Sequence, residues 1–251
     1  MNVFIKPVDS SIRKAKVLYL MGATWHNKSM FDLASKQPSM ASILQSKNIE
    51  TYTFDIFGSG PGPKEGFIGN QYQANIDYAI ELIKQYEIDY IFGYSSGAVM
   101  AVDIALKTPI KKIVMLDPFA NIKIPFKETP DGDKYIVERD TVAQALLDYG
   151  TNIDNDVIQS YLDSLNDTGT LVTATYPRAA SKERFKTFFN QDNFLGLIEK
   201  CQVKVILTRG RPPQFERLGI PNLTIRNNNI SHWVMLEEGR FWLADQISQF
   251  A

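Results

Sequence analysis

Cysteine occurs once in the 251 residues and histidine twice. The single thiol, Cys201, cannot close an internal disulfide, and one cysteine with two histidines makes no Cys/His cluster of the kind that holds a metal. Cys201 is therefore expected as a buried thiol at a helix end. Basic excess is absent as well: 27 Lys and Arg against 28 Asp and Glu leave a formal net charge of −1. That is too little positive charge to neutralise a nucleic-acid backbone or an anionic membrane surface. The one dense basic stretch, residues 209–217, is interrupted by Pro212, Pro213 and Glu216 and is expected to be a solvated loop. No apolar run approaches the length of a membrane span, and residues 1–14 lack the apolar core and small-residue cleavage site of a leader. A cytoplasmic protein with no membrane span is the expectation. Repeats and low-complexity tracts are missing too. What is present, 44% hydrophobic and 22% charged residues, suits a globular chain long enough for one large core.

Strand-like and helix-like segments alternate along most of that length. β-prone runs fall at 16–21, 51–57, 88–94, 112–116, 203–208 and 223–226, with a further edge strand at 2–6. Helical patterns cover residues 27–47, 70–86, 96–107 and 184–200, and 237–250 closes the chain with Phe241, Trp242, Ala244 and Ile247 at helical spacing. Strands separated by helices of this length imply an α/β fold, a mostly parallel sheet with helices on both faces. The rhythm breaks after Asp117. Pro125, Pro130 and the turn-rich Asp131-Gly132-Asp133 lead to short helical patterns at 141–149 and 154–165, with one β run at 171–175. The expected division is a core of 1–117 and 185–251, with 118–184 inserted as a helical lid over the sheet's C-terminal edge.

Chemistry is concentrated in Gly93-Tyr94-Ser95-Ser96-Gly97, which follows the apolar run 88–92 and leads into the helical pattern from Ala98. G-x-S-x-G between a strand and a helix describes a turn so tight that its central residue is strained, with the flanking glycines removing side chains that would collide. It would present the Ser95 hydroxyl at a sheet edge with a helix N-terminus behind it, where an oxyanion would be stabilised.

A serine nucleophile needs a base, and the histidines are His26 and His232. His232 follows the last short strand in the polar segment 227–233 and precedes the closing helix, so its loop reaches the same sheet edge as Ser95; it is the candidate base. His26 follows the first strong strand in Met21-Gly22-Ala23-Thr24-Trp25-His26. The backbone N–H groups of Ala23 or Thr24 in that loop, with the N–H of Ser96, are the candidate oxyanion hole, and His26 would line the pocket. The acid that orients the base is assigned to Asp117, at the tip of the strand after the Ser95 helix. A plain Asp-Pro turn and Glu216 as a rival acid stay open.

With these residues in place the chain resembles the α/β-hydrolase superfamily outside the lid. Gly22 stands where that family has its oxyanion-loop glycine, Asp55-Ile56-Phe57-Gly58-Ser59-Gly60 resembles its D-x-x-G-x-G turn, and the order Ser95, Asp117, His232 agrees with its nucleophile–acid–histidine order. Many members carry the acid after the penultimate strand, where this chain has Gly210-Arg211-Pro212-Pro213. Placement one strand earlier, in Leu116-Asp117-Pro118, is similar to the thioesterase branch that releases acyl chains from carrier proteins. The resemblance implies a serine hydrolase acting on a small-molecule ester or thioester, with an acyl-carrier protein as a partner and no metal or organic cofactor. Phe119, Phe126, Tyr149 and Tyr161 would line an acyl pocket or pack in the core. The same triad also serves lyases and acyltransferases, and a non-hydrolytic ligand-binding descendant would keep the elbow for structural reasons.

Overall fold

A computed structural model describes residues 3–22, 31–32, 36–55, 71–118, 127–128, 134–150, 152–164, 170–174, 193–211 and 215–251. Among these residues seven strands form the main sheet: β1 (Val3–Lys6), β2 (Ala15–Leu20), β3 (Ile49–Phe54), β4 (Tyr90–Tyr94), β5 (Lys112–Leu116), β9 (Gln202–Leu207) and β10 (Thr224–Arg226). Their order is β1-β3-β2-β4-β5-β9-β10, parallel throughout except for β1, which runs antiparallel to β3 at the edge. The central strands are covered on both faces and read as continuous apolar runs for that reason. Their side chains alternate between two cores. Val17, Tyr19, Phe92, Tyr94, Val114 and Leu116 enter one, and Leu18, Leu20, Ile91, Ile113 and Met115 the other.

The second core is closed by helices α2 (Gln71–Tyr86), α3 (Ser96–Lys107) and α6 (Asn193–Lys200). The first is closed by α1 (Met40–Ser46) and α7 (Arg240–Phe250). Helices therefore lie on both faces, as the alternation implies. Ser39 caps α1 by accepting the Ser42 N–H at 3.1 Å. Cys201 is buried just after α6, donating to Ile110 O at 3.2 Å, and burial pushes its thiol pKa up.

Two expectations need correction. The insertion is not helical in character alone. Besides α4 (Arg139–Tyr149) and α5 (Asn155–Ser164) it holds a three-stranded antiparallel sheet, β6 (Lys127–Glu128), β7 (Lys134–Glu138) and β8 (Thr170–Ala174). The closing helix starts at Arg240 rather than 237, because the Glu237 carboxylate folds back to accept the Ser231 N–H at 3.0 Å and the Ser231 hydroxyl. Within the insertion Leu147 is 57% exposed, whereas Leu146, Val157, Ile158 and Leu162 belong to the first core, the cluster that also holds Trp233 and Val234. Phe119 and Phe126, the side chains of Tyr149 and Tyr161, and residues 56–60 of the D-x-x-G-x-G turn lie outside the described residues.

Candidate active site

β3 and β4 lie on opposite sides of β2, so the sheet reverses its order of construction between β2 and β4, and a crevice at the strand C-termini follows at such a switch point. Gly22 just beyond β2 and Ser95 just beyond β4 meet there. Ser95 has φ 56° and ψ −124°, backbone strain worth about 1–3 kcal/mol in a residue with a side chain. Its N–H donates to Leu116 O at 2.9 Å and its carbonyl accepts from Ala98 N–H at 3.1 Å. Unlike Ser39, its hydroxyl is not spent capping the helix it precedes.

Close approach explains the glycines. A Cβ on Gly97 would fall 2.1 Å from Leu20 O and 2.5 Å from Met21 O, so the first turn of α3 sits directly on the backbone of β2. A Cβ on Gly22 would lie 3.0 Å from Ser95 Cβ and 3.2 Å from Ser95 Oγ, which places the backbone after β2 against the nucleophile candidate. Gly97→Ala must push α3 off β2. It is expected to destabilise by at least about 1–3 kcal/mol, read as a melting temperature lower by about 2–4 °C per kcal/mol for a chain of this size. A Gly97→Ala protein that melts with wild type contradicts this packing.

Asp117 and His232 are brought together at the same edge. β5 pairs with β4 so that Leu116 lies beside Tyr94, and the next residues, Asp117 and Ser95, leave the sheet side by side. His232 arrives from the turn after β10. Its backbone carbonyl accepts the Tyr94 hydroxyl at 2.6 Å, and its ring packs on the Tyr94 ring with centroids 4.7 Å apart. The Glu237–Ser231 bonds, together with Arg240, which donates to the Glu237 carbonyl at 2.7 Å, hold that turn in place. Imidazole Nδ1 then lies 2.8 Å from Asp117 Oδ2. Asp117 is fully buried, Ser95 7% and His232 6% exposed, so the set is shielded without being sealed. Among the described residues no hydrogen bond joins Ser95 Oγ to the imidazole, a contact that often tightens only with substrate bound.

Among the described residues four donors converge on the Asp117 carboxylate: Thr208 N–H at 2.9 Å, Thr208 Oγ1 at 2.5 Å, Arg211 Nε at 3.0 Å and His232 Nδ1. Burial works to raise its pKa, but the bond and charge of His232, the Arg211 charge and the Thr208 hydroxyl outweigh it and hold the carboxyl below its ordinary value. An ionised carboxylate can only accept, so Nδ1 carries the ring proton and Nε2 is left as the basic lone pair. Burial is also the main influence on His232. It lowers the imidazole pKa, the bond to Asp117 pulls it back up, and the Arg211 charge lowers it again, leaving it below the ordinary 6.5. The resting pair is thus carboxylate and neutral imidazole.

The other sequence candidates fall as follows. Ser96 opens α3, placing its N–H in the first turn at the positive end of a 12-residue helix. Ala23, Thr24 and His26 lie outside the described residues. Glu216 is not at His232: both its oxygens bind Arg226, at 2.7 and 2.8 Å, near the surface. The 209–217 stretch is not simply solvated either. Arg209 and Arg217 are exposed, but Phe215 is buried and the Arg211 side chain, 11% exposed, turns onto Asp117. Thr208, Arg211 and Tyr94 were not singled out from the sequence. The lack of an acid in Gly210-Arg211-Pro212-Pro213, where an arginine is present instead, is the available signal.

Solved structures similar to this one include the monoacylglycerol lipase of Paleococcus ferrophilus, at 16% identity over 100% of both chains with a TM-score of 0.62. A carboxylesterase from the thaumarchaeon Nitrososphaera gargenis matches at 15% identity over 99% of this chain and 93% of the other, with a TM-score of 0.63. A serine hydrolase from Cycloclasticus zankles matches at 13% identity over 99% and 98%, with a TM-score of 0.61. No protein-family model and no curated protein matches the sequence. Likeness at such identities carries architecture, and the architecture agrees with the sheet order and the elbow: this chain has the α/β-hydrolase fold.

Proposed function

We propose that the chain is a serine hydrolase that cleaves an ester or thioester through an acyl-enzyme intermediate. The observation that carries this reading is one juxtaposition: a strained serine after β4, and on the adjoining strand end a buried carboxylate bonded to a neutral histidine. The solved structures it resembles are described as a lipase, a carboxylesterase and a serine hydrolase, which supports the reading at the level of reaction class.

Each step then has an assigned group. His232 Nε2 takes the Ser95 proton as Oγ attacks the substrate carbonyl, and Asp117 stabilises the imidazolium that forms. The tetrahedral oxyanion is held by the N–H of Ser96 and by N–H groups of the segment from Gly22 through Ala23 and Thr24. Collapse breaks the bond to the alcohol or thiol, which leaves with the proton held by His232. Water then attacks the acyl-serine, gives its proton to His232, and the carboxylic acid departs as Ser95 Oγ is reprotonated. Among the described residues no group of three His, Cys, Asp or Glu is placed to hold a metal, and no helix is long and apolar enough to cross a membrane.

Asp117 stands at the end of β5 rather than after β9, a placement similar to that of the thioesterase branch, and it is this resemblance that puts a thioester on a carrier protein first among the substrates. Acyl-CoA, acyl-carrier-protein and p-nitrophenyl esters of graded chain length test that order. The carrier thioester is expected to give the highest kcat/KM, and a p-nitrophenyl ester turned over faster than both thioesters overturns the carrier assignment.

Residues 118–184 act as a lid that sets acyl selectivity. The support is that Leu146, Val157, Ile158 and Leu162 belong to the same buried cluster as Trp233, the neighbour of His232. The lid is expected to exchange amide hydrogens faster than β4 and β5, and to slow once an acyl inhibitor occupies Ser95. Exchange as slow as the sheet with and without inhibitor makes the insertion a fixed cap and removes the gating role.

A further inference from the structure

Arg211 shares one carboxylate oxygen with the histidine. Its Nε lies 3.0 Å from Asp117 Oδ2, the atom that accepts His232 Nδ1 at 2.8 Å. Thr208 already fixes both oxygens, through its N–H to Oδ1 and its hydroxyl to Oδ2, so orientation alone does not require a third neighbour carrying charge. An ionised carboxylate against an imidazole stabilises the imidazolium and raises the histidine pKa. A guanidinium on the same oxygen opposes that effect, because it cannot lose its proton and holds a fixed planar geometry.

Among the described residues, few other charged groups face the pair. Tyr94 presents its ring to the imidazole and spends its hydroxyl on the His232 carbonyl. Glu237 is bonded to Ser231. Arg226, whose Nη1 lies 3.4 Å from Thr208 O, is paired with Glu216. Among the described residues, the charges in direct contact at the pair are those of Asp117 and Arg211.

We propose that Arg211 is a positioning residue for the His232–Asp117 pair: it pins the carboxylate and offsets its charge, so that the imidazole stays uncharged and the site keeps its base in more acidic solution. This rests on the reading of His232 as the general base, and goes beyond it by assigning the loop after β9 a role in tuning that base. The direction agrees with the lowering that the Arg211 charge exerts on His232.

The test is NMR titration of the two imidazole Cε1–H resonances, assigned with His26→Asn, in wild type, Arg211→Met and Arg211→Lys. Wild-type His232 is expected to titrate below 6.5. Arg211→Met is expected to raise that value by about one pH unit, with the acid limb of kcat/KM moving in step, and Arg211→Lys, which keeps the charge, to stay near wild type. A wild-type value at or above 6.5, no rise in Arg211→Met, or an Arg211→Lys value equal to that of Arg211→Met overturns the proposal. If Arg211→Met does not fold, Arg211→Gln, which removes the charge but keeps a side-chain donor, replaces it, with the same rise expected and its absence overturning the proposal. The titration needs no turnover, so an inert Ser95 would defeat the hydrolase reading while leaving the effect of Arg211 on His232 measurable.

Discussion

Ser95→Ala is expected to lower turnover of any ester or thioester substrate by at least about 10³-fold, since loss of the nucleophile in a serine triad costs more than that. The melting temperature should stay at that of wild type. Alanine keeps the Cβ, so the φ 56° turn and its bonds to Leu116 O and Ala98 N are the same in both proteins. The hydroxyl contributes nothing as a helix cap, and its removal therefore leaves α3 intact. This combination separates a chemical role from a structural one. An Ala variant retaining more than about a hundredth of wild-type turnover excludes Ser95 as the nucleophile, because such a residue cannot be the one forming the acyl intermediate.

Asp117→Asn should cost on the order of 10⁴-fold in kcat, as in a serine triad whose acid becomes an amide. The amide can turn an N–H toward His232 Nδ1, which then holds the proton on Nε2, where Ser95 needs a lone pair. Unlike the serine change, this one also lowers stability. Thr208, Arg211 and His232 all lose the charged acceptor they share, and leaving one partner of a buried ion pair behind costs about 3–5 kcal/mol. Glu216→Gln is the matched control. It removes a partly exposed pair with Arg226, worth about 0–1 kcal/mol, and should leave kcat unchanged. Comparable losses of kcat from the two substitutions would show that Asp117 has no special relation to His232.

Elements bounded by strong local signals were legible in the sequence. β5 at 112–116 and α3 at 96–107 match their expected limits, because Asp117-Pro118 ends the strand and Thr108-Pro109 ends the helix. The parallel sheet with helices on both faces follows from the same alternation, and the edge strand at the N-terminus was legible although it pairs antiparallel with β3. The sheet in the insertion was not. β7 is five residues long, runs without a break into α4, and finds its longer partner in β8 some thirty residues on; pairing of that range leaves no mark on local periodicity. The start of α7 was misplaced for a similar reason, since Glu237 is a good helix former engaged by Ser231.

The candidate site divides along the same line. Ser95, Asp117 and His232 were legible because each stands at a punctuated end of a strand or loop. Arg211 and Thr208 act on a carboxylate more than ninety residues away in sequence, and nothing beside them in the chain announces it. The basic stretch read as solvated is the clearest example: the same composition contains two exposed arginines and one turned inward onto an acid.

The central claim is that Ser95 is an activated nucleophile, and labelling of the folded protein by a fluorophosphonate, with the modified peptide mapped by mass spectrometry, tests it most directly. One adduct per chain is predicted, on the Ser95 hydroxyl, forming rapidly in wild type, slowly in Asp117→Asn and not at all in Ser95→Ala. Failure of the folded wild-type protein to label, or an adduct mapped to any other residue, contradicts the account.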